Sequence, residues 1–204
     1  MINFDDYILG QSSEESIKIT TRQQNADAAL AMVTQCKLKL AIISRELDPF
    51  IYDQPEFVEA VRQLALKGRY VDIRILAFEP ELIVRRGHKL IDLAKKISSY
   101  IEIRKPSVQY KSFNEALLIA DEVGYLYRES SDQYKGNVNF NSPRESKHLL
   151  DVFNEMWETA KPDPPCPDTD LQNSIIRNAS CPLCGGASHI VQHLGNRSPD
   201  KGLS

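Results

Sequence analysis

The chain has 204 residues and a mass of 23.1 kDa, which fits one domain of ordinary size with a tail rather than two full domains. Hydrophobic residues make up 42% and charged residues 26% of it, as in a globular protein with its own core. The longest purely apolar run, Ala28–Val33, is too short for a membrane span, and the acidic start lacks the features of a secretory signal. We therefore expect a cytoplasmic protein, and its net charge of −3 does not favour nucleic acid as a partner.

Helical and extended patterns alternate along the first part of the chain. Thr21-Arg-Gln-Gln24 is a capping-box pattern and predicts a helix through the apolar stretch Ala26–Val33. Leu38–Ser44 then has the composition of a buried strand. Asp53-Gln-Pro-Glu56 combines a capping residue, an early proline and a first-turn acid, which predicts a helix that ends at Gly68.

The middle of the chain continues this alternation. Val71–Ala77 has the period-two pattern of a strand, Glu81–Ser99 has helical spacing, and Tyr100–Arg104 again has the pattern of a strand. Ala116–Ala120 and Gly124–Tyr127 are two further predicted strands, joined by a short turn.

A last helix and a proline-rich segment follow. Ser142-Pro-Arg-Glu145 places serine at the N-cap, proline at the first helical position and glutamate at the third, and predicts a helix that runs through Trp157. Four prolines then occur in the six residues 162–167, a density that we expect neither to continue a helix nor to enter a sheet. We predict a globular domain over residues 1–160 and a separate linker and tail over residues 161–204.

The order of these elements predicts the fold class. Strands separated by helices favour a mostly parallel sheet with helices on both faces, and the short turn between two late strands makes the sheet mixed. The predicted fold is α/β, followed by an irregular C-terminal tail.

This order of elements resembles one half of a phospholipase D (PLD) superfamily domain over about residues 38–160. Gly68-Arg-Tyr-Val-Asp-Ile-Arg-Ile-Leu76 is similar to the second strand of that superfamily, and the helix that contains Phe153 and Trp157 matches its late helix. The resemblance implies an uncharacterised bacterial PLD-like family. Since PLD sites are built from two half-motifs, it also implies a homodimer as the way to complete a site.

The PLD motif is His-x-Lys-x4-Asp, in which the histidine attacks phosphorus and the lysine neutralises the phosphate oxygens. In this sequence Asn114 falls at the histidine, Ala116 at the lysine, and Asp121 alone matches. The Gly-Ser-x-Asn segment that follows in the superfamily would fall at Arg128-Glu-Ser-Ser131, which also departs from it. The resemblance therefore implies a pseudoenzyme, in which Asp121 serves as a turn-forming residue.

Two further groups of polar residues are candidates for a pocket. Arg45, Glu46 and Asp48 follow a predicted strand, where α/β sheets usually bind ligands, although capping and turn roles would explain the same residues. His88 lies in a partial echo of the PLD motif that has the wrong spacing, on a predicted helix where salt bridges are the simpler interpretation.

The tail contains a pattern typical of metal ligands. Cys181-x2-Cys184-x4-His189-x3-His193 supplies four nitrogen and sulfur ligands within 13 residues, and it resembles a zinc knuckle with an unusual last interval. The alternative is a tail whose cysteines bind no metal.

Three functions compete on this evidence. The first is a non-catalytic PLD-like binding or interaction domain with an unidentified ligand. The second is a phosphodiesterase or phosphatidyltransferase that acts through a non-standard site or a homodimer. The third is a zinc-dependent regulatory protein, in which the tail recruits a partner.

The zinc prediction can be tested directly. We expect about one zinc ion per chain in protein prepared without chelator. Because binding needs deprotonated thiols and neutral imidazoles, occupancy should fall as the pH drops through the histidine range. Elemental analysis should show that Cys181→Ser lowers the zinc content and that Cys166→Ser, outside the motif, does not. Far less than one equivalent, unchanged by Cys181→Ser, would contradict the prediction.

Overall fold

The computed structural model describes residues 2–11 and 15–162, and in them eight strands form one sheet. The strands are β1 (Ile17–Ile19), β2 (Lys39–Ser44), β3 (Asp72–Ala77), β4 (Ile101–Lys105), β5 (Ala116–Ala120), β6 (Gly124–Arg128), β7 (Gly136–Asn139) and β8 (Lys161–Pro162). The α-helices are α1 (Arg22–Gln35), α2 (Pro49–Tyr52), α3 (Pro55–Ala65), α4 (Pro80–Arg86), α5 (Lys89–Lys96) and α6 (Pro143–Thr159).

The strand order is β1-β7-β6-β5-β2-β3-β4-β8. The predicted α/β class with a mixed sheet is confirmed, but parallel pairing is confined to β2, β3 and β4. The other ladders are antiparallel, so the sheet is less parallel than the sequence predicts. The difference arises because the short strands β1, β7 and β8 add antiparallel ladders, and none of them has more than four residues, which is too short for a sequence pattern to identify.

Helices cover both faces of the sheet, as predicted. The central strand β2 is buried on both sides, with Leu40 and Ile42 in the larger core and Ala41 and Ile43 in the smaller one. Helices α1, α2, α3 and α5 contribute buried residues to the larger core, and α6 contributes to the smaller. Trp157 is 5% exposed and stacks on Phe153, so the indole is buried as the pattern of α6 predicts.

The predicted helix over Glu81–Ser99 is wrong as a single element. It is divided into α4 and α5 because Gly87 adopts a left-handed φ of 72° at the end of α4. The next residue, His88, then caps α5 by accepting a hydrogen bond from the Leu90 amide at 3.3 Å. The single helical face on which local salt bridges were expected therefore does not exist.

Asp53 also has a role other than the predicted one. Gln54, not Asp53, occupies the N-cap of α3 and makes no side-chain capping bond there. The Asp53 carboxylate instead accepts a hydrogen bond from the Lys89 amide at 2.6 Å, which ties the start of α5 to the segment before α3.

The proline-rich segment begins inside the sheet, which corrects the expectation that it stays out. Lys161 and Pro162 form β8, an antiparallel edge partner of Lys105 and Arg104. An edge strand tolerates proline because its outer side needs no amide donor. The predicted boundary between a domain over residues 1–160 and a tail over residues 161–204 remains a prediction, because residues 163–204 lie outside the described part. Over residues 2–11 and 15–162, no helix is long and apolar enough to cross a membrane.

Candidate functional site

A polar cavity lies at the carboxyl end of β2. Because β5 runs antiparallel to β2, the start of β5 reaches the same edge of the sheet as the loop after Ser44. The cavity has a volume of about 260 Å³. It is lined from the β2–α2 segment by Ser44, Arg45, Glu46, Asp48 and Pro49, and from β6 and the segment after it by Arg128, Ser131, Asp132 and Tyr134.

Asn114, which the sequence comparison with the PLD motif predicts at the nucleophile position, lies beside this cavity in a hydrogen-bond network. Its side-chain oxygen accepts from Ser131 Oγ at 2.5 Å and from Arg45 Nε at 3.3 Å. Its side-chain nitrogen donates to Ser130 Oγ and to Asp132 Oδ2, both at 3.2 Å. The network joins the segment before β5 to the segment after β6 and uses both ends of the amide.

Arg45 connects three loops at this edge. It forms an ion pair with Glu79 at 3.0 Å, and its guanidinium lies 5.6 Å from the centre of the Phe78 ring. Its remaining nitrogen donates at 3.4 Å to the carbonyl oxygens of Lys111 and Phe113. Arg45 therefore lines the cavity and also holds the segment before β5 against β2.

Glu46 and Asp48 likewise combine positions on the cavity with structural partners. Glu46 is paired with Arg86 at 2.7 Å. Asp48 caps α2 by accepting from the Phe50 amide at 3.0 Å, and its other oxygen accepts from the Tyr134 hydroxyl at 2.7 Å. The pocket and capping roles proposed for this segment therefore occur together in Asp48.

His88 does not line the cavity. It is 4% exposed, and its Nε2 lies 3.1 Å from the carbonyl oxygen of Leu47, a residue with a left-handed φ of 48°. Burial lowers the pKa of His88, although Asp53, 3.6 Å from Nδ1, opposes that shift. The neutral ring donates to Leu47 through Nε2 and accepts from Leu90 through Nδ1, and so supports the loop below the cavity.

Ala116, which the motif resemblance aligns with the PLD lysine, is fully buried and is paired across the β5–β6 ladder with Arg128. Arg128 is 0% exposed, and Nη1 donates to the Gln133 carbonyl at 3.4 Å. Its Nε and Nη2 have no hydrogen-bond partner among the described residues. Sequence reasoning missed this residue, although the period of β6 places it on the same side as the core residue Leu126.

Asp121 lies at the opposite end of β5 from Asn114, roughly 20 Å away at about 3.3 Å per residue. Its carboxylate accepts from the amides of Lys37, Leu38 and Lys39 at 2.7, 2.8 and 2.9 Å. Its own φ of 51° is that of a turn residue. Its bonds therefore fix the start of β2 and do not involve the cavity.

In the described residues, no three His, Cys, Asp or Glu side chains are placed to hold a metal ion. Cys36 is a buried free thiol whose pKa is raised to about 12, mainly by burial and then by the Asp121 charge, so it stays protonated. The predicted zinc ligands Cys181, Cys184, His189 and His193 lie outside the described residues.

Comparison with known proteins places the chain in a family. Residues 21–167 match the family model of DUF7931, a domain of unknown function. The chain belongs to the DUF7931 family. No curated protein matches it.

Solved structures share the fold of this DUF7931 domain. Nuc from Salmonella typhimurium, a phospholipase D family member, is 16% identical with a TM-score of 0.52, and the match covers 74% of this chain and 100% of Nuc. NucT from Helicobacter pylori is 9% identical with a TM-score of 0.53, over 72% of this chain and 98% of NucT. The archaeal chromatin protein TrmBL2 is 19% identical with a TM-score of 0.54, over 74% of this chain but 55% of TrmBL2. The DUF7931 domain therefore has a PLD-like fold.

Replacing Asp121 tests its role as an anchor. Asp121→Ala removes the acceptor of three amide bonds, and we expect it to lower the free energy of unfolding by about 2 kcal/mol, because water can reach these exposed amides. Glu122→Ala is the matched control, since Glu122 also has a positive φ, of 60°, but makes only an exposed ion pair with Lys39. Urea unfolding measures both variants, and equal losses would contradict the anchor role.

The buried histidine predicts a pH dependence of stability. Because the pKa of His88 is lowered in the folded state, the unfolded chain binds more protons, and stability should fall as the pH drops below about 6.5. His88→Asn keeps a capping side chain and should flatten this part of the curve. His148→Gln removes an exposed histidine and should leave it unchanged. Melting temperatures between pH 5 and 8 test this, and an unaltered slope in His88→Asn would contradict it.

Proposed function

We propose that this DUF7931 domain is a non-catalytic, PLD-like binding domain whose ligand occupies the cavity at the carboxyl end of β2. The observation that supports the proposal is that both ends of the Asn114 amide are engaged in hydrogen bonds, at the residue that the motif resemblance aligns with the nucleophile. An amide nitrogen has its lone pair delocalised into the carbonyl, so it does not attack phosphorus as an imidazole does.

The other side chains around the cavity also argue against an alternative nucleophile. Within residues 2–11 and 15–162 no histidine lines it, and the hydroxyl of Ser131 is hydrogen-bonded to an amide rather than to a base. The Tyr134 hydroxyl donates to Asp48, and burial together with this bond raises the pKa of the phenol, which keeps it protonated near neutral pH. Nucleophilic catalysis needs an adjacent base or a lowered pKa, and these groups have neither.

A binding role agrees with the charges and hydrogen bonds of the cavity. Two arginines, Arg45 and Arg128, line it from different segments, and each of the three carboxylates on its wall has a hydrogen-bonded or ionic partner. TrmBL2, in which a comparable fold covers 55% of the chain, is described as a DNA-binding chromatin protein. It is a precedent for a binding protein that contains this fold.

The alternative is an enzyme completed by a second copy of the chain, as PLD sites made of two half-motifs would suggest. A homodimer could bring a residue of another subunit to the same cavity. This alternative predicts activity that rises more steeply than the protein concentration, because the dimer would be the active species.

The full chain should show no phosphodiesterase turnover on bis-aryl phosphate, DNA or phosphatidylcholine, because it lacks the histidine and lysine of the motif. A catalytically competent PLD enzyme serves as the positive control, and the assay is run over a range of protein concentrations. Turnover above background that Asn114→Ala or His88→Ala abolishes would contradict the proposal. Turnover that increases with the square of the concentration would favour the homodimeric enzyme.

A further inference from the structure

The buried guanidinium of Arg128 is an unusual feature of the domain. Arg128 is 0% exposed, yet it forms no ion pair within 4 Å among the described residues. Its one hydrogen bond is a long contact of 3.4 Å from Nη1 to the Gln133 carbonyl, and Nε and Nη2 have no partner. A buried charge without a partner is costly, so a residue of this kind needs a compensating interaction.

The position of Arg128 indicates what that interaction is. Its side chain lines the cavity together with Arg45, and the volume of about 260 Å³ is large enough for a phosphate group. The guanidinium group presents its N–H donors in a planar fork that matches the oxygens of a phosphate group.

We propose that Arg128 is the anchor of a phosphate-binding site, which takes a single phosphate group in the cavity between the β2–α2 and β6–β7 segments. This inference rests on the proposed binding function, whose ligand class it names. Nε and Nη2 donate to the phosphate oxygens, and Arg45 adds a second positive charge on the same cavity wall.

The residues next to Arg128 on the neighbouring strands are small, which leaves space for its long side chain. A Cβ atom at residue 136 would lie 2.9 Å from Arg128 Cγ and 2.4 Å from the Tyr127 carbonyl oxygen, so Gly136 is required there. Across the other ladder, Ala116 pairs with Arg128 and adds only a methyl group. Two small residues therefore flank Arg128, Ala116 on β5 and Gly136 at the start of β7.

The pair formed by Ala116 and Arg128 also connects the proposed phosphate site with the PLD motif. The lysine of the motif would stand at Ala116, and the glycine of the following segment would stand at Arg128. This chain has the small residue on β5 and the cation directly opposite on β6. A positive charge is thereby kept at this point of the sheet, on the neighbouring strand.

The carboxylates on the cavity wall are the competing partners for Arg128. Asp48 accepts from Tyr134 and the Phe50 amide, and Asp132 accepts from Asn114. If the guanidinium served the fold through their charges or through the Tyr134 ring, which lies 5.5 Å away, it would stabilise the protein in the absence of any ligand. Stability without phosphate therefore separates the two roles.

The test uses the full chain in phosphate-free buffer, with inorganic phosphate and dimethyl phosphate as probes in calorimetric titrations and thermal melts. The variants are Arg128→Met, which has a similar length and no charge, and Arg128→Lys, which keeps the charge and loses the fork. Asp132→Asn removes a negative charge from the wall and keeps an acceptor for Asn114. Arg69→Met removes an exposed arginine outside the cavity and is the control for net charge.

We expect phosphate to bind the unaltered protein and to raise its melting temperature. Arg128→Met should weaken binding about tenfold or more, as loss of a charged hydrogen-bond donor implies, and should not lower the melting temperature without phosphate. Arg128→Lys should bind at an intermediate level, Asp132→Asn should bind more tightly, and Arg69→Met should bind as the unaltered protein does. Tighter binding of dimethyl phosphate would identify a phosphodiester ligand, and tighter binding of inorganic phosphate a monoester or free phosphate.

Two results would overturn the inference. One is the absence of binding of either probe to the unaltered protein, and the other is unchanged affinity in both Arg128→Met and Arg128→Lys. If the second result is accompanied by a lower melting temperature of Arg128→Met without phosphate, it assigns the arginine to the fold. Turnover on a phosphodiester by a protein that binds phosphate through Arg128 would instead refute the non-catalytic function and leave this anchor in place.

Discussion

The antiparallel pairing of β5 with β2 is the constraint on which the rest of the domain depends. The Asp121 carboxylate holds the amides of Lys37, Leu38 and Lys39, which fixes the far end of this ladder. With the ladder in register, the opposite end of β5 arrives beside the loop that follows Ser44. A shift by one residue would turn the apolar side chains of β5 to the wrong faces and separate Asn114 from its partners.

That register explains how one motif can divide into two separate roles. Asn114 and Asp121 belong to the same sequence pattern, but they lie at opposite ends of one strand. Asp121 matches the residue type of the pattern and serves the fold through its amide bonds, whereas the residues that the resemblance aligns at the cavity end, Asn114 and Ala116, do not match it. A match at the aspartate alone therefore gives no evidence for catalysis, because this residue lies far from the cavity.

The elements with strong periodicity could be predicted from the sequence. The capping box at Thr21, the apolar run of β2 and the turn at Asp121 each have local causes, and the structure confirms them. The division between α4 and α5 could not be predicted from apolar spacing, which continues across Gly87; the break depends on a backbone angle. Strand β8 forms by pairing with the free edge of β4, and this contact depends on the tertiary structure and not on the local sequence.

The cavity was predictable on one side only. Arg45, Glu46 and Asp48 follow a strand that the sequence identifies, so their place at the edge could be anticipated. Arg128, Ser131 and the residues after them come from β6 and its connection to β7, which is a strand of only four residues, Gly136–Asn139. Which residues face Arg45 depends on long-range pairing, and local patterns do not contain that information.

The proposed alignment with the PLD motif puts alanine at the lysine position and arginine at a glycine position, and this difference has a chemical consequence within the proposed function. A lysine is a compact point charge beside a nucleophile, whereas an arginine binds oxygens in a plane and stays charged at all physiological pH values. Without an imidazole near it, such a group stabilises a bound anion and offers no path to a covalent intermediate. In the proposed site this edge of the sheet therefore holds a phosphate group and does not cleave it, and the bound phosphate offsets the cost of burying a guanidinium with two unpartnered nitrogens.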